Sequence, residues 1–106
     1  MQNIELTREL VAQKFPDLKA LEAAHGKLSA IAVEDKIALF KKPTRDILKM
    51  AAAKGTNDPI GYLELVGENC YIAGDRELLD DDDYFMAVMP MLNDLAETKT
   101  AELLKL

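Results

Sequence analysis

Cys70 and His25 are the one thiol and the one imidazole of this chain. Together they are the minimum for cysteine nucleophilic catalysis, in which an imidazole lowers the thiol pKa and shuttles its proton. The residues around them assign each another role. Cys70 ends an apolar helical stripe, where a buried thiol behaves as a small hydrophobe. His25 stands before Gly26 at a helix end, where a histidine commonly meets the terminal carbonyls. A single cysteine excludes an internal disulfide, and one Cys with one His falls short of a thiolate and imidazole zinc set. The run Asp80-Asp81-Asp82-Asp83 invites a calcium reading, but a calcium loop alternates oxygen ligands around an obligatory glycine. Here Arg76, Leu78 and Leu79 occupy the positions ligands would need, and no glycine sits at the turn. The aspartates are read as the acidic start of a helix, favoured by the partial positive charge of its unpaired amides. The glycines at 26, 55, 61, 67 and 74 are isolated, so no phosphate-binding loop is present. No catalytic residue, no metal ligands and no cofactor site are expected.

The side chains left with something to do are Met86, Met89 and Met91. Methionine is unbranched and polarisable, so it fills core gaps and also adapts to partners of differing shape. Core filling is the first reading and a partner-binding face the second, because a domain this small need not bury every apolar stripe internally.

The charge is unevenly placed. Residues 1–53 hold nine Lys/Arg against seven Asp/Glu, and residues 54–106 hold four against twelve, within a net charge of −6. An acidic chain without tryptophan is a poor partner for nucleic acid, whose phosphates reward a basic stripe. The cluster Lys36, Lys41, Lys42 and Arg45 is read as a solvated strand end rather than a phosphate patch. The longest apolar runs fall far short of the ~18–20 residues of a membrane span. The start, Met1-Gln2-Asn3-Ile4-Glu5, lacks the basic and apolar regions of a secretory signal. A cytoplasmic location, with no membrane partner, is expected.

The elements that must position these residues follow from periodicity. With 106 residues one domain is expected, in three stretches: an N-terminal helical segment over 1–26, a β-hairpin over 27–42 and a helical region over 43–106. Thr7 caps a first helix over 7–14 that ends before Pro16, and a second over 17–25 stops at Gly26. Leu28 to Val33 and Lys36 to Lys41 are short, β-branched runs flanking Glu34-Asp35, the pattern of a hairpin. Ile31, Val33, Ile37 and Leu39 are expected to form its helix-packed face, with Ala30, Ala32 and Ala38 on the weaker one. Thr44 then caps a helix carrying Ile47, Leu48 and Ala51, and Asp58-Pro59 starts another with Ile60, Leu63, Val66 and Cys70 as its buried stripe. Ala73-Gly74-Asp75 is expected to close that helix, and Arg76 to Asp83 to form a loop with one helical turn around Leu78. In the last helix Phe85, Val88, Met89, Leu92, Leu95 and Ala96 share a face, Pro90 should kink the rod, and Leu103, Leu104 and Leu106 should add an apolar turn. The fold class is α+β, mainly helical, with one antiparallel hairpin packed against several short helices.

Four segments read together carry a resemblance: Lys42-Pro43-Thr44-Arg45 after a strand, Asp58-Pro59 before a helix, Asn69-Cys70-Tyr71-Ile72-Ala73-Gly74-Asp75, and an acidic run leading into a Met-rich helix. Over roughly residues 27–106 the chain resembles the tail assembly chaperones of long-tailed phages and prophages. Tyr71 stands where those proteins often carry Trp, and residues 1–26 lie outside the resemblance. It implies a non-enzymatic cytoplasmic protein that coats the hydrophobic tape measure protein during assembly and helps recruit tail tube subunits, with a homo-oligomer also open. The alternative is a small bacterial cytoplasmic adaptor or regulatory module that binds one folded partner.

Overall fold

A computed structural model describes residues 6–97 and 101–106. Helices α1 (Arg8–Lys14) and α2 (Leu18–His25) precede strands β1 (Leu28–Val33) and β2 (Lys36–Lys41). Helix α3 (Arg45–Lys54) runs through a 3-10 turn at Gly55–Asn57 toward α4 (Pro59–Cys70), followed by β3 (Tyr71–Gly74), α5 (Glu77–Asp80) and α6 (Asp82–Ala96). The result is a mainly helical α+β fold around a three-stranded antiparallel sheet in the order β1-β2-β3.

Local chemistry sets most boundaries where the sequence placed them. Thr7 Oγ1 accepts from the Leu10 amide at 3.2 Å and Thr44 Oγ1 from the Ile47 amide at 3.3 Å. Asp58 Oδ1 accepts from the Gly61 amide at 2.9 Å, with Pro59 at the first helical position, where its missing N–H costs nothing. Gly26 ends α2 at φ 81, a backbone state that side chains with a Cβ resist.

The hairpin is present over the expected residues, but its faces are not those expected. Val33 pairs with Lys36 across the two-residue turn, so Ile31 lies opposite Ala38, and Ala32 opposite Ile37. Partner numbers therefore add to an odd total, and an odd residue of β1 shares a face with an even residue of β2. Ile31 and Val33 join Ala38 and Phe40 on one side, while Ile37 and Leu39 join Ala30 and Ala32 on the other. Both sides are covered. Val11, Phe15 and Leu18 of the N-terminal helices pack on the Ile37 and Leu39 side. Ile47, Val66, Cys70, Leu78, Val88 and Leu92 pack on the Phe40 side. Strand β2 is thus apolar in all four of its inner positions, as a strand buried on both faces must be.

The stretch Tyr71–Gly74 is a third strand rather than a helix end. Helix α4 finishes at Cys70, and the chain turns at once to pair with β2, Leu39 opposite Ala73 and Ala38 opposite Gly74. Gly74 has φ 113, and a Cβ there would lie 2.5 Å from the Ile37 carbonyl oxygen and 2.6 Å from the Ala38 Cα. Asp75 then takes both backbone groups of Ile37: its own amide donates to the Ile37 carbonyl, and its Oδ2 accepts from the Ile37 amide, each at 2.9 Å.

Two further expectations change, one at Ile60 and one at residues 101–106. Ile60 is exposed instead of belonging to the buried stripe of α4, whose inner face is Gly61, Val66, Gly67 and Cys70. A Cβ on Gly67 would lie 2.8 Å from Leu79 and 3.2 Å from Leu92, so α4 meets its neighbours through its bare backbone. Helix α6 runs unbroken from Asp82 to Ala96 through Pro90. Residues 101–106 have no regular structure, and Leu103, Leu104 and Leu106 are exposed rather than forming an apolar turn.

Candidate functional site: two grooves beside the last helix

The acidic start of α6 is a cap. Asp81 Oδ1 accepts from the Asp83 amide at 3.0 Å and the Tyr84 amide at 3.3 Å, with Asp82 and Asp83 in the first turn. From there the helix buries Phe85, Val88 and Leu92 in the core, with Met89 and Leu95 half-buried behind them. The three methionines therefore divide. Met89 is a core residue in part, while Met86 and Met91 are 59% and 46% exposed. Being five residues apart, Met86 and Met91 sit about 140° apart around the axis at ~100° per residue, and they line different grooves.

The first groove, of about 290 Å³, lies between α4 and α6 and is lined by Ile60, Glu64, Leu79, Asp82, Phe85 and Met86. Its floor is apolar and its polar rim is acidic on both sides. The second, of about 430 Å³, runs between β1 and the end of α6, where Met91 and Leu95 face Ser29, Ala30 and Ile31. Lys27 and Lys42 flank it together with Asp94 and Glu97. Ile60 is the residue of the first groove that periodicity alone misplaced; its signal was its position just after Pro59, in the first turn of the helix, where chain direction is still set by the cap.

The other motif residues hold the frame. Pro43 is buried where β2 gives way to α3, Thr44 is the cap described above, and Arg45 is the exposed first residue of α3. Asn69 Nδ2 donates to the Leu65 carbonyl at 2.8 Å, closing the last turn of α4. Cys70 is fully buried, and burial pushes its thiol up to about 11. His25 sits exposed at the end of a helix that packs on the opposite face of the sheet from Cys70. The structure does not bring the thiol and the imidazole together. Tyr71 packs edge-on against Phe40, and its hydroxyl donates to the Gly74 carbonyl at 2.7 Å. Arg76 lies over the Tyr71 ring and bonds Glu68 and Asp80. The segment from Asn69 to Asp75 is thus a folding device: a helix stop, a core plug, a close strand approach and a clamp on β2.

The basic cluster is divided, with Lys36 apart from Lys41, Lys42 and Arg45. Lys36 and Lys41 stand at opposite ends of β2, about 17 Å apart at ~3.3 Å per residue. Lys36 reaches Glu77 at 3.4 Å and lies 5.8 Å from the Tyr84 ring centroid, and the Tyr84 hydroxyl donates to Glu34 at 3.4 Å. Among the described residues no group of three His, Cys, Asp or Glu side chains is placed to hold a metal ion. No helix among them is long and apolar enough to cross a membrane. Compared with protein-family models, curated proteins and solved structures, the chain matches none.

Proposed function

We propose that this chain is a non-enzymatic tail assembly chaperone that shields an apolar segment of a tape measure protein before the tail is built. The observation that supports the reading is the pair Ile60 and Met86, 48% and 59% exposed on facing helices over a preformed groove. Exposed apolar side chains in a concave site are what an amphipathic partner helix inserts its anchors into. The flexible thioether of Met86 lets one groove accept anchors of different shape, as a coat on a long and varied protein requires. Glu64 and Asp82 on the rim favour a segment whose apolar face is bordered by Lys or Arg. Tube subunits would be recruited by surfaces left free once the tape measure segment is bound.

Co-expression with a long helical tape measure protein tests the reading. The expected result is a soluble complex that survives gel filtration with the wild-type chain and fails to form when Ile60→Glu and Met86→Glu are combined. A tape measure protein that stays insoluble with the wild-type chain overturns the proposal. Equal binding by the double variant removes the groove from it.

A further inference from the structure

We propose that the edge of β1 that no strand among the described residues pairs with joins the same edge of a second copy, antiparallel about a two-fold axis through Ala30, to make one continuous six-stranded sheet. The edge strand has the composition of an inner one. Strand β1 reads Leu-Ser-Ala-Ile-Ala-Val, with no charge, no proline and no glycine, and it pairs with β2 without a bulge over all six residues. Edges meant to stay single are shortened, charged, bulged or covered. The other edge of this sheet is treated that way: β3 has four residues, its pairing carries a register shift at Leu39/Phe40, and the Gly74 carbonyl is taken by the Tyr71 hydroxyl.

The groups available on β1 can be named. Ile37 directs both its N–H and its C=O to Asp75, away from β1. Its partner Ala32 therefore forms no ladder bond with it, and by antiparallel alternation neither Leu28 nor Ala30 bonds its own partner on β2. Three amides and three carbonyls, those of Leu28, Ala30 and Ala32, point outward along the edge. Centring a two-fold axis on Ala30 sets Leu28 against Ala32 of the other copy and Ala30 against its own counterpart. All six groups of each strand are then matched. Shifting the register by two residues loses a pair.

The charges agree with that register. Lys27 precedes the strand and Glu34 follows it, so the antiparallel arrangement sets each Lys27 across from Val33 and one residue from Glu34 of the other copy. Parallel pairing would instead set like ends together. Small side chains at Ala30 and Ala32 permit close approach on one face. On the other, the wall of Met91 and Leu95 beside the edge gives the incoming strand an apolar surface to cover. A closed isologous contact of this kind stops at two copies.

Sedimentation equilibrium on the full chain, with amide exchange followed by NMR, tests this. Dimers are expected, with exchange at Leu28, Ala30 and Ala32 slowing as concentration rises. Ala30→Pro removes an outward amide that β2 does not use, and it should give a monomer with unchanged circular dichroism. Lys27→Glu should raise the dimer dissociation constant at least tenfold, and adding Glu34→Lys should restore it; this pair decides the question even if the proline variant fails to fold. A chain that stays monomeric at millimolar concentration overturns the proposal. So does a dimer whose affinity ignores both the proline and the charge exchange.

Discussion

Replacing Gly74 by alanine tests the central joint of the fold. Two costs act at this position. The backbone sits at φ 113, where a residue with a Cβ pays about 1–3 kcal/mol of strain. The added Cβ would also stand 2.5 Å from the Ile37 carbonyl oxygen and 2.6 Å from the Ala38 Cα, both backbone atoms that cannot swing aside. Relief requires β3 to back away from β2, which loosens the two bonds between Asp75 and Ile37, worth about 0.5–1.5 kcal/mol each. The sum is about 2–6 kcal/mol, against a typical total stability of about 5–15. In urea, with a slope of ~1–3 kcal/mol per molar, the midpoint should fall by roughly 2 M. Gly26 supplies the control, because it also has positive φ, 81, but a Cβ there meets nothing within 4 Å. Gly26→Ala should cost only the strain, about 1–3 kcal/mol. If Gly74→Ala is no worse than Gly26→Ala, the close strand approach is not what holds β3 in place.

Thr44→Ala should lower stability by about 0.5–2 kcal/mol through the lost acceptor for the Ile47 amide, read as a shift in denaturant midpoint at unchanged slope. Phe85→Ala should cost about 3–5 kcal/mol because the ring is buried in the main cluster, whereas Met86→Glu with Met91→Glu should leave helix content nearly unchanged; unfolding of that double variant would make both methionines core residues. Cys70 gives a pH signature. Burial holds the thiol protonated up to about 11, so the unfolded chain, whose thiol ionises near its ordinary value, binds fewer protons above about pH 9. Stability should be fully present below that value, fall as pH rises toward 11, and fall less in Cys70→Ala. Parallel pH profiles for the two chains would show that the thiol ionises as easily folded as unfolded.

What was legible in the sequence were the features written in nearest neighbours. Thr44, Asp58-Pro59 and the pair Glu34-Asp35 act on residues one to four positions away, and each does what its chemistry dictates. The faces of the hairpin were not legible strand by strand, because which alanine lies behind which isoleucine depends on the length of the turn between them. Once the two-residue turn is fixed, Ile37 and Leu39 must face away from Ile31, and a second apolar side appears that needs its own cover. That need explains the N-terminal helices, whose Val11, Phe15 and Leu18 otherwise had no evident target. Strand β3 was hidden because Tyr71 to Gly74 follows a helix without a break, and four residues carry too little alternation to announce a strand. Gly67 was hidden for another reason: a stripe drawn through large apolar side chains passes over a position whose value lies in having none. The candidate groove inherited the same blindness, since the expected clustering of Met86, Met89 and Met91 treats one helix as one face, while the folded helix has a core side and two flanks.

The two partners of β2 reach it by very different routes. Strand β1 is joined to it by Glu34-Asp35 alone, whereas β3 arrives only after residues 42–70 have been gathered in. A hairpin closes in about 1–10 μs, but a pairing across so long a connection pays its loop-closure entropy before any bond repays it. Helices α3 and α4 shorten that connection, so β3 should dock as the closing event of folding, on a hairpin already made. The amide of Ile37, bonded to the side chain of Asp75, then loses its water only when β3 docks and regains it when β3 leaves, which makes its exchange rate a direct gauge of how often that joint opens.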